Sequence, residues 1–174
     1  MMEEKICLIT GANSGIGKET ARALAKMNAT VIMLCRDKER GETARKEIIE
    51  ETGNKNVDLL LCDLSSQDSI RNFVSEFKNK YQYLHVLINN AGVMLKTRQL
   101  SVDGYEMNFA VHLLGPFLLT NLLLDTLKKS APSRIINVTS AAHKRAKINF
   151  EDLQSKNKKY RLFSSYTFHF WRRC

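Results

Sequence analysis

The sequence predicts an α/β fold: a doubly wound parallel sheet of about five strands with helices on both faces. Two observations carry that expectation. Short, unbroken apolar runs of strand length alternate with longer helix-patterned segments, as expected for strands covered on both sides. A glycine-rich stretch, Thr10-Gly11-Ala12-Asn13-Ser14-Gly15-Ile16-Gly17, joins the first apolar run to the first helical segment. Parallel neighbours require crossover connections, which are right-handed and set helices against the sheet.

The first strand is the run Ile6-Cys7-Leu8-Ile9. The turn after it reads as a phosphate cradle, in which Gly11 permits a tight reversal, Gly15 lets a pyrophosphate approach the backbone, and Gly17 lets the helix pack closely on the strand. Unpaired N–H groups and the positive end of the helix dipole then face the anion. The helix that follows presents Ile16, Thr20, Ala23, Leu24 and Met27 on one face. Residues 30–34 form a second, wholly apolar strand. Asp37 is placed to cap the next helix, which carries Ala44, Ile48 and Ile49 inward and stops near Thr52-Gly53-Asn54. Residues 57–62 form the third strand, and Ser65 with Asp68 resembles a capping box ahead of Ile70, Phe73, Val74 and Phe77. The fourth strand, 84–88, leads into Asn89-Asn90-Ala91-Gly92. A long helical region follows over 103–129, with a bend expected near Gly115-Pro116. The fifth strand, 134–138, ends at Thr139-Ser140.

A chain of 174 residues is long enough for one ordinary core. The expected organisation is a dinucleotide-binding domain over 1–160 and a divergent aromatic and basic tail over 161–174. The formal charge of +9 is spread along helices and interleaved with Glu, so it reads as solvated surface and no nucleic-acid partner is expected. Cys7, Cys35, Cys62 and Cys174 lack metal-ligand spacing, and no metal site is expected. Three of them sit at or inside strand runs, which suits a reducing compartment. The first strand begins almost at once, leaving no room for a signal peptide. The most apolar segment, 109–124, is interrupted by His112, Pro116 and Asn121 and falls short of the ~20 residues of a span. A cytoplasmic protein without a transmembrane anchor is the expectation.

The end of the second strand bears on which dinucleotide is bound. An NAD site places a carboxylate there to accept from the ribose 2′-OH. This chain has Cys35-Arg36-Asp37, and the Arg36 guanidinium favours a 2′-phosphate while Asp37 is better used as a helix cap. NADP(H) is expected over NAD(H).

Together with Asp63-Leu64, Asn89-Asn90-Ala91-Gly92 and Asn137-Val138-Thr139-Ser140, the glycine-rich stretch resembles the short-chain dehydrogenase/reductase family. Cys35-Arg36-Asp37, Asp103-Gly104-Tyr105-Glu106-Met107 and Ala131-Pro132-Ser133-Arg134-Ile135 resemble its retinol dehydrogenase branch. The resemblance covers about residues 5–160. It implies a Rossmann-type sheet in the order 3-2-1-4-5, without the last strands of the family fold, as in a C-terminally truncated member. It also implies hydride exchange between an apolar alcohol, retinoid or other, and its aldehyde or ketone. The implied cofactor-binding residues are Gly11, Asn13, Ser14, Gly15, Ile16 and Gly17, then Arg36, then Asp63 with Leu64, then Asn90 with Ala91 and Gly92, and Val138. Asp63 would contact the adenine region, Asn90 would support the cofactor side of the cleft, and Val138 would lie beside the nicotinamide.

Carbonyl reduction needs a donor to polarise the oxygen and an acid to protonate the developing alkoxide. The resemblance assigns these roles to Ser140 and Tyr166. A tyrosine, with an ordinary pKa near 10, needs a cation close by to act near neutrality. The family supplies it as a lysine four residues on, and holds a water on an asparagine of the long helix. Here Phe170 stands at the lysine position and His112 at the asparagine position. An active oxidoreductase, a cofactor-binding pseudoenzyme, and an interaction fragment that dimerises with itself or a complete relative through the long helix all remain open.

Overall fold

The computed structural model describes residues 2–141, 144, 149–157 and 160. Among them, strands β1 (Ile6–Thr10), β2 (Thr30–Cys35), β3 (Val57–Leu61), β4 (Val86–Asn89) and β5 (Arg134–Asn137) form one parallel sheet. Its order is β3-β2-β1-β4-β5, as the sequence predicts. The connecting helices are α1 (Gly15–Lys26), α2 (Lys38–Thr52), α3 (Gln67–Lys80), α4 (Met107–Phe109) and α5 (Gly115–Lys129). A π-helical turn, Ala110–Leu114, joins the last two into one continuous rod.

Strand periodicity divides the core into two layers. Leu8, Ile32, Leu34 and Leu87 point to one face, where they meet Ile70, Phe73 and Phe77 of α3 and Leu119, Leu123 and Leu127 of α5. Cys7, Ile9, Val31 and Met33 alternate to the other face, against Ala21 and Ala25 of α1 and Ala44 and Ile48 of α2. Burial pushes the Cys7 thiol up to about 11, and burial with the nearby Asp63 carboxylate pushes the Cys62 thiol up to about 12, so neither is a ready thiolate.

Local signals set most boundaries. The Asp37 carboxylate accepts from the Arg40 N–H at 3.0 Å and starts α2, and Gly53, at φ +72°, ends it in the left-handed conformation. Two local expectations are corrected. The buried stripe of α1 is Gly17, Ala21 and Ala25, whereas Ile16 is 67 % exposed and Met27 56 % exposed. A helix leaving a glycine turn lies too close to the sheet for large side chains, so the small residues face inward. The cap of α3 is Ser66, which accepts from Ser69 N–H, while the Ser65 hydroxyl donates to Asp63 instead.

The long helix counts against the cytoplasmic expectation. Met107–Lys129 is an unbroken helical segment of 23 residues, long and apolar enough to cross a membrane, with half of its most apolar window buried in the fold. The three interruptions read in the sequence do not interrupt it. His112 is fully buried and bonded, Pro116 follows directly on the π turn, where the regular bonding pattern is already broken, and Asn121 Nδ2 donates to the Phe117 carbonyl one turn back at 2.8 Å. The irregularity expected at Gly115-Pro116 is the π turn just before it. Gly115 is required for another reason, since a Cβ there would collide with the Leu64 carbonyl oxygen.

At the other end of the sheet every β5 residue is exposed, Ile135 at 42 % and Ile136 at 44 %, and among the described residues no further strand pairs with it. Between β1 and β4, His85 Nδ1 accepts from the Ile6 N–H at 3.0 Å. Burial, and then Lys5, hold the His85 pKa below its ordinary value. The unfolded chain therefore binds this proton more readily, and stability falls as pH drops through about 6.5 toward the folded-state pKa. Thermal unfolding at about pH 7.5 and about pH 5.5 checks this: His85→Gln, which keeps an acceptor but does not titrate, is expected to show the smaller loss.

Candidate functional site

The carboxyl ends of β1, β2, β3 and β4 open on one cleft of about 600 Å³. It lies beside the switch point of the sheet, where β1 and β4 are neighbours although their connections run in opposite directions. Of the residues singled out in the sequence, Gly11, Asn13, Ser14, Ile16, Arg36, Asp63, Leu64, Asn90, Ala91, Gly92, Val138 and Ser140 all line this cleft. Tyr166 lies outside the described residues, as do His169, Phe170, Arg172 and the whole tail over 161–174.

Two loops make the floor. Thr10, last residue of β1, accepts through its hydroxyl from the N–H groups of Asn90 and Ala91, each at 2.9 Å. Asn90 Nδ2 returns to the Thr10 carbonyl at 2.9 Å. The glycine loop and the loop after β4 are thereby joined into one rigid surface. Gly11 and Gly17 make that contact possible: a Cβ on Gly11 would stand 2.9 Å from Ala91 Cα, and one on Gly17 would stand 2.5 Å from Asn90 Nδ2 and closer still to the Gly11 carbonyl oxygen. Gly17 thus serves loop-to-loop packing as well as the approach of helix to strand. Gly15 differs, having φ +53° and open space where its Cβ would be.

The loop fits an anion. Among the described residues no side chain caps α1, whose N-cap is Ser14, and its first turn holds no acidic residue. Its first N–H groups and positive dipole end are left for a ligand, beside the open space at Gly15. The discriminating end of the cleft carries Arg36, Asp37 and Arg40. Asp37 is committed to capping α2. Cys35 is buried beneath the glycine loop, where the N–H groups of Ala12 and Asn13 are directed at its sulfur, and burial pushes its thiol up to about 11. Both guanidiniums are exposed. Asp63 Oδ1 accepts from Ser65 N–H at 2.9 Å and Ser65 Oγ at 2.7 Å, which holds the carboxylate at the cleft wall.

Sequence reasoning missed several lining residues. Arg40 follows Arg36 by one helical turn, a spacing that could have been noticed. Val93, Met94 and Val111 make an apolar end near Val138, Thr139 and Ser140, and nothing local marks them. His112 is satisfied not within its own helix but across the fold, its Nε2 accepting from the Val93 N–H at 2.8 Å.

The family model for short chain dehydrogenase matches residues 5–151. The chain is 52 % identical over 152 residues to retinol dehydrogenase 11 of Homo sapiens, covering 87 % of this chain and 48 % of that protein. It is 51 % identical over 162 residues to retinol dehydrogenase 12 of Bos taurus, covering 93 % of this chain and 51 % of that protein. The chain therefore spans about half the length of the curated relatives it matches. Among solved structures, an uncharacterized protein from Mycobacterium paratuberculosis superimposes with a TM-score of 0.85 at 36 % identity, covering 99 % of this chain and 59 % of that one. A metagenomic short-chain oxidoreductase in complex with NADP superimposes with a TM-score of 0.76 at 26 % identity, covering 98 % of this chain and 72 % of that one. Likeness to dehydrogenases named for retinol, an apolar alcohol, joins the Met107–Lys129 helix in overturning the cytoplasmic expectation.

Proposed function

The chain belongs to the short chain dehydrogenase family, and from that premise we propose that its cleft binds NADP(H) for hydride exchange between an apolar alcohol, retinoid-like in size and polarity, and the corresponding carbonyl. The observation that carries the cofactor choice is the commitment of Asp37 to capping α2, which leaves Arg36 and Arg40 as the charged groups of the cleft near the end of β2. A carboxylate free to accept from a ribose 2′-OH would favour NAD(H); two guanidiniums favour a 2′-phosphate. The NADP complex of a related oxidoreductase supports the same reading.

When bound, the cofactor supplies or takes up the hydride. In this reading, the N–H groups at the start of α1 hold its diphosphate, Arg36 and Arg40 hold the 2′-phosphate, and Asp63 with Leu64 borders the adenine. Asn90, Ala91, Gly92 and Val138 shape the nicotinamide end. Ser140, half-buried at that end, would donate to the substrate oxygen, and Tyr166 would pass the proton. Val93, Met94 and Val111 make this end apolar, which suits an apolar substrate and excludes water from the developing charge.

Titration with NADPH and NADH, followed by nucleotide fluorescence, tests binding. Arg36→Ala is expected to weaken NADPH by about tenfold or more and to leave NADH within about twofold, since a charge-assisted contact is worth about 1.5–3 kcal/mol. Single-turnover reduction of an apolar aldehyde then tests hydride transfer. Folded protein with no affinity for either nucleotide would overturn the reading, and binding without turnover would make the chain a cofactor-holding pseudoenzyme.

A further inference from the structure

We infer that β5 is a pairing edge whose occupant is a second copy of this chain, joined strand to strand about a two-fold axis through Ile136. The inference goes beyond the nucleotide-binding reading and stands without it. In a parallel ladder, successive residues turn their N–H and C=O groups to alternate sides. The Arg134 and Val138 N–H groups donate to the His85 and Asn89 carbonyls at 2.8 Å and 3.0 Å, so Arg134, Ile136 and Val138 face β4. Ile135 and Asn137 therefore turn their backbone groups outward, and among the described residues no strand meets them. Ile135 stands beside Leu87 on the α3 and α5 side of the sheet, Ile136 beside Ile88 on the α1 and α2 side, and both are exposed.

The order of these groups is what selects a second copy. About an axis through Ile136, Ile135 of one copy lies opposite Asn137 of the other in an antiparallel ladder, and each outward N–H meets an outward C=O with none left over. The two Ile136 side chains then meet on one side of the sheet as a close, non-hydrogen-bonded pair, and each Ile135 gains cover from the facing strand on the other. The usual defences of an edge are missing from this span, since no Lys, Pro or bulge stands at Ile135, Ile136 or Asn137. Because the strands run antiparallel, the two clefts open toward opposite ends of the joined sheet. The formal charge of +9 opposes the association of like copies, so added salt, which screens it, strengthens the pairing.

Sedimentation of the full chain across about a hundredfold range of concentration is expected to show the mass rising from one copy to two. Ile136→Lys sets like charges face to face at the axis and is expected to raise the dimer Kd by about tenfold or more. Cysteine variants then read the register, each with Cys174, which lies outside the described residues, changed to Ser. Ile136→Cys is expected to cross-link under mild oxidation, since the Cα atoms of such a pair lie about 4.5 Å apart, within disulfide reach. Ile135→Cys is the control, because its two copies fall on either side of the axis, farther apart than the about 7 Å that a bridge spans. A monomer at every concentration overturns the inference, whether the Ile135 and Asn137 amides exchange quickly, as on an open edge, or slowly, as on one taken by another segment of the same chain. A dimer that folded Ile136→Lys leaves intact, or that salt weakens, lies on another face and overturns it equally. Should Ile136→Lys not fold, the cysteine variants decide, and equal cross-linking of Ile135→Cys and Ile136→Cys rules the two-fold register out.

Discussion

Gly17→Ala is expected to raise the NADPH Kd by about a hundredfold or more while leaving a folded, weakened protein. The added methyl would stand 2.5 Å from Asn90 Nδ2 and closer to the Gly11 carbonyl oxygen, and neither can retreat. Asn90 is held by its bonds to Thr10, and Gly11 N–H donates to the Leu34 carbonyl at 2.8 Å. The two loops must therefore separate, which opens the floor on which the diphosphate would rest. Overpacking of this kind costs about 1–3 kcal/mol of stability, readable as a lower urea midpoint at unchanged slope. Gly15→Ala is the informative control. Its Cβ meets nothing within 4 Å, so the floor stays closed, and the strain of φ +53° for a residue with a side chain remains as the main stability cost. Gly17→Ala binding NADPH within tenfold of the unaltered protein would show that the loop-to-loop contact does not shape the site.

What could be read from the sequence was what neighbouring residues decide among themselves. The parallel sheet followed from alternation and handedness, its strand order from the family resemblance, the start of α2 from Asp37, and its end from Gly53. The cleft residues of the glycine loop and of Asn89-Asn90-Ala91-Gly92 followed from where those stretches sit at strand ends. Apart from the α3 cap, where Ser65 turns to Asp63 two residues back, the misreadings share one physical origin, a partner distant in sequence. The face of α1 was misassigned because the sheet sets how close the helix lies, and only Gly17, Ala21 and Ala25 tolerate that distance. His112 read as a local break in an apolar helix because Val93 could not be seen as its partner. The same blindness made 109–124 look more interrupted than it is, although His112 bonds Val93 inside the fold and the exposed Asn121 bonds one turn back within its own helix. The stretch Asp103-Gly104-Tyr105-Glu106-Met107 was legible only as a resemblance, and its physical content appears in three dimensions. Asp103 Oδ2 accepts from the first N–H of α3 at 2.8 Å, Gly104 turns at φ +77°, and Glu106 starts the long helix.

Glu106→Ala is expected to cost about 3–5 kcal/mol of stability, since several buried donors lose their acceptor at about 1–3 kcal/mol each. Glu106 is fully buried, yet its carboxylate does the work of a helix cap. Oε2 accepts from Phe109 N–H at 2.8 Å, and Oε1 accepts from Asn108 N–H at 3.0 Å, from Asn108 Nδ2 at 2.9 Å and from the Tyr160 hydroxyl at 3.2 Å. Alanine would strand these donors in a dry site and release Tyr160, which is tied here across 54 residues of chain. Glu106→Gln sharpens the test, because whichever way its amide is turned an NH₂ group must face an N–H donor. It is therefore expected to lose about 2–3 kcal/mol despite its matched shape, whereas Tyr160→Phe, which removes the hydroxyl that donates to Glu106 and accepts from Asn108 Nδ2, is expected to lose only about 1–2 kcal/mol. Urea unfolding of the three variants orders them directly. A Gln variant as stable as the unaltered protein would mean that the carboxylate's acceptors are not what holds Tyr160 to the start of the long helix.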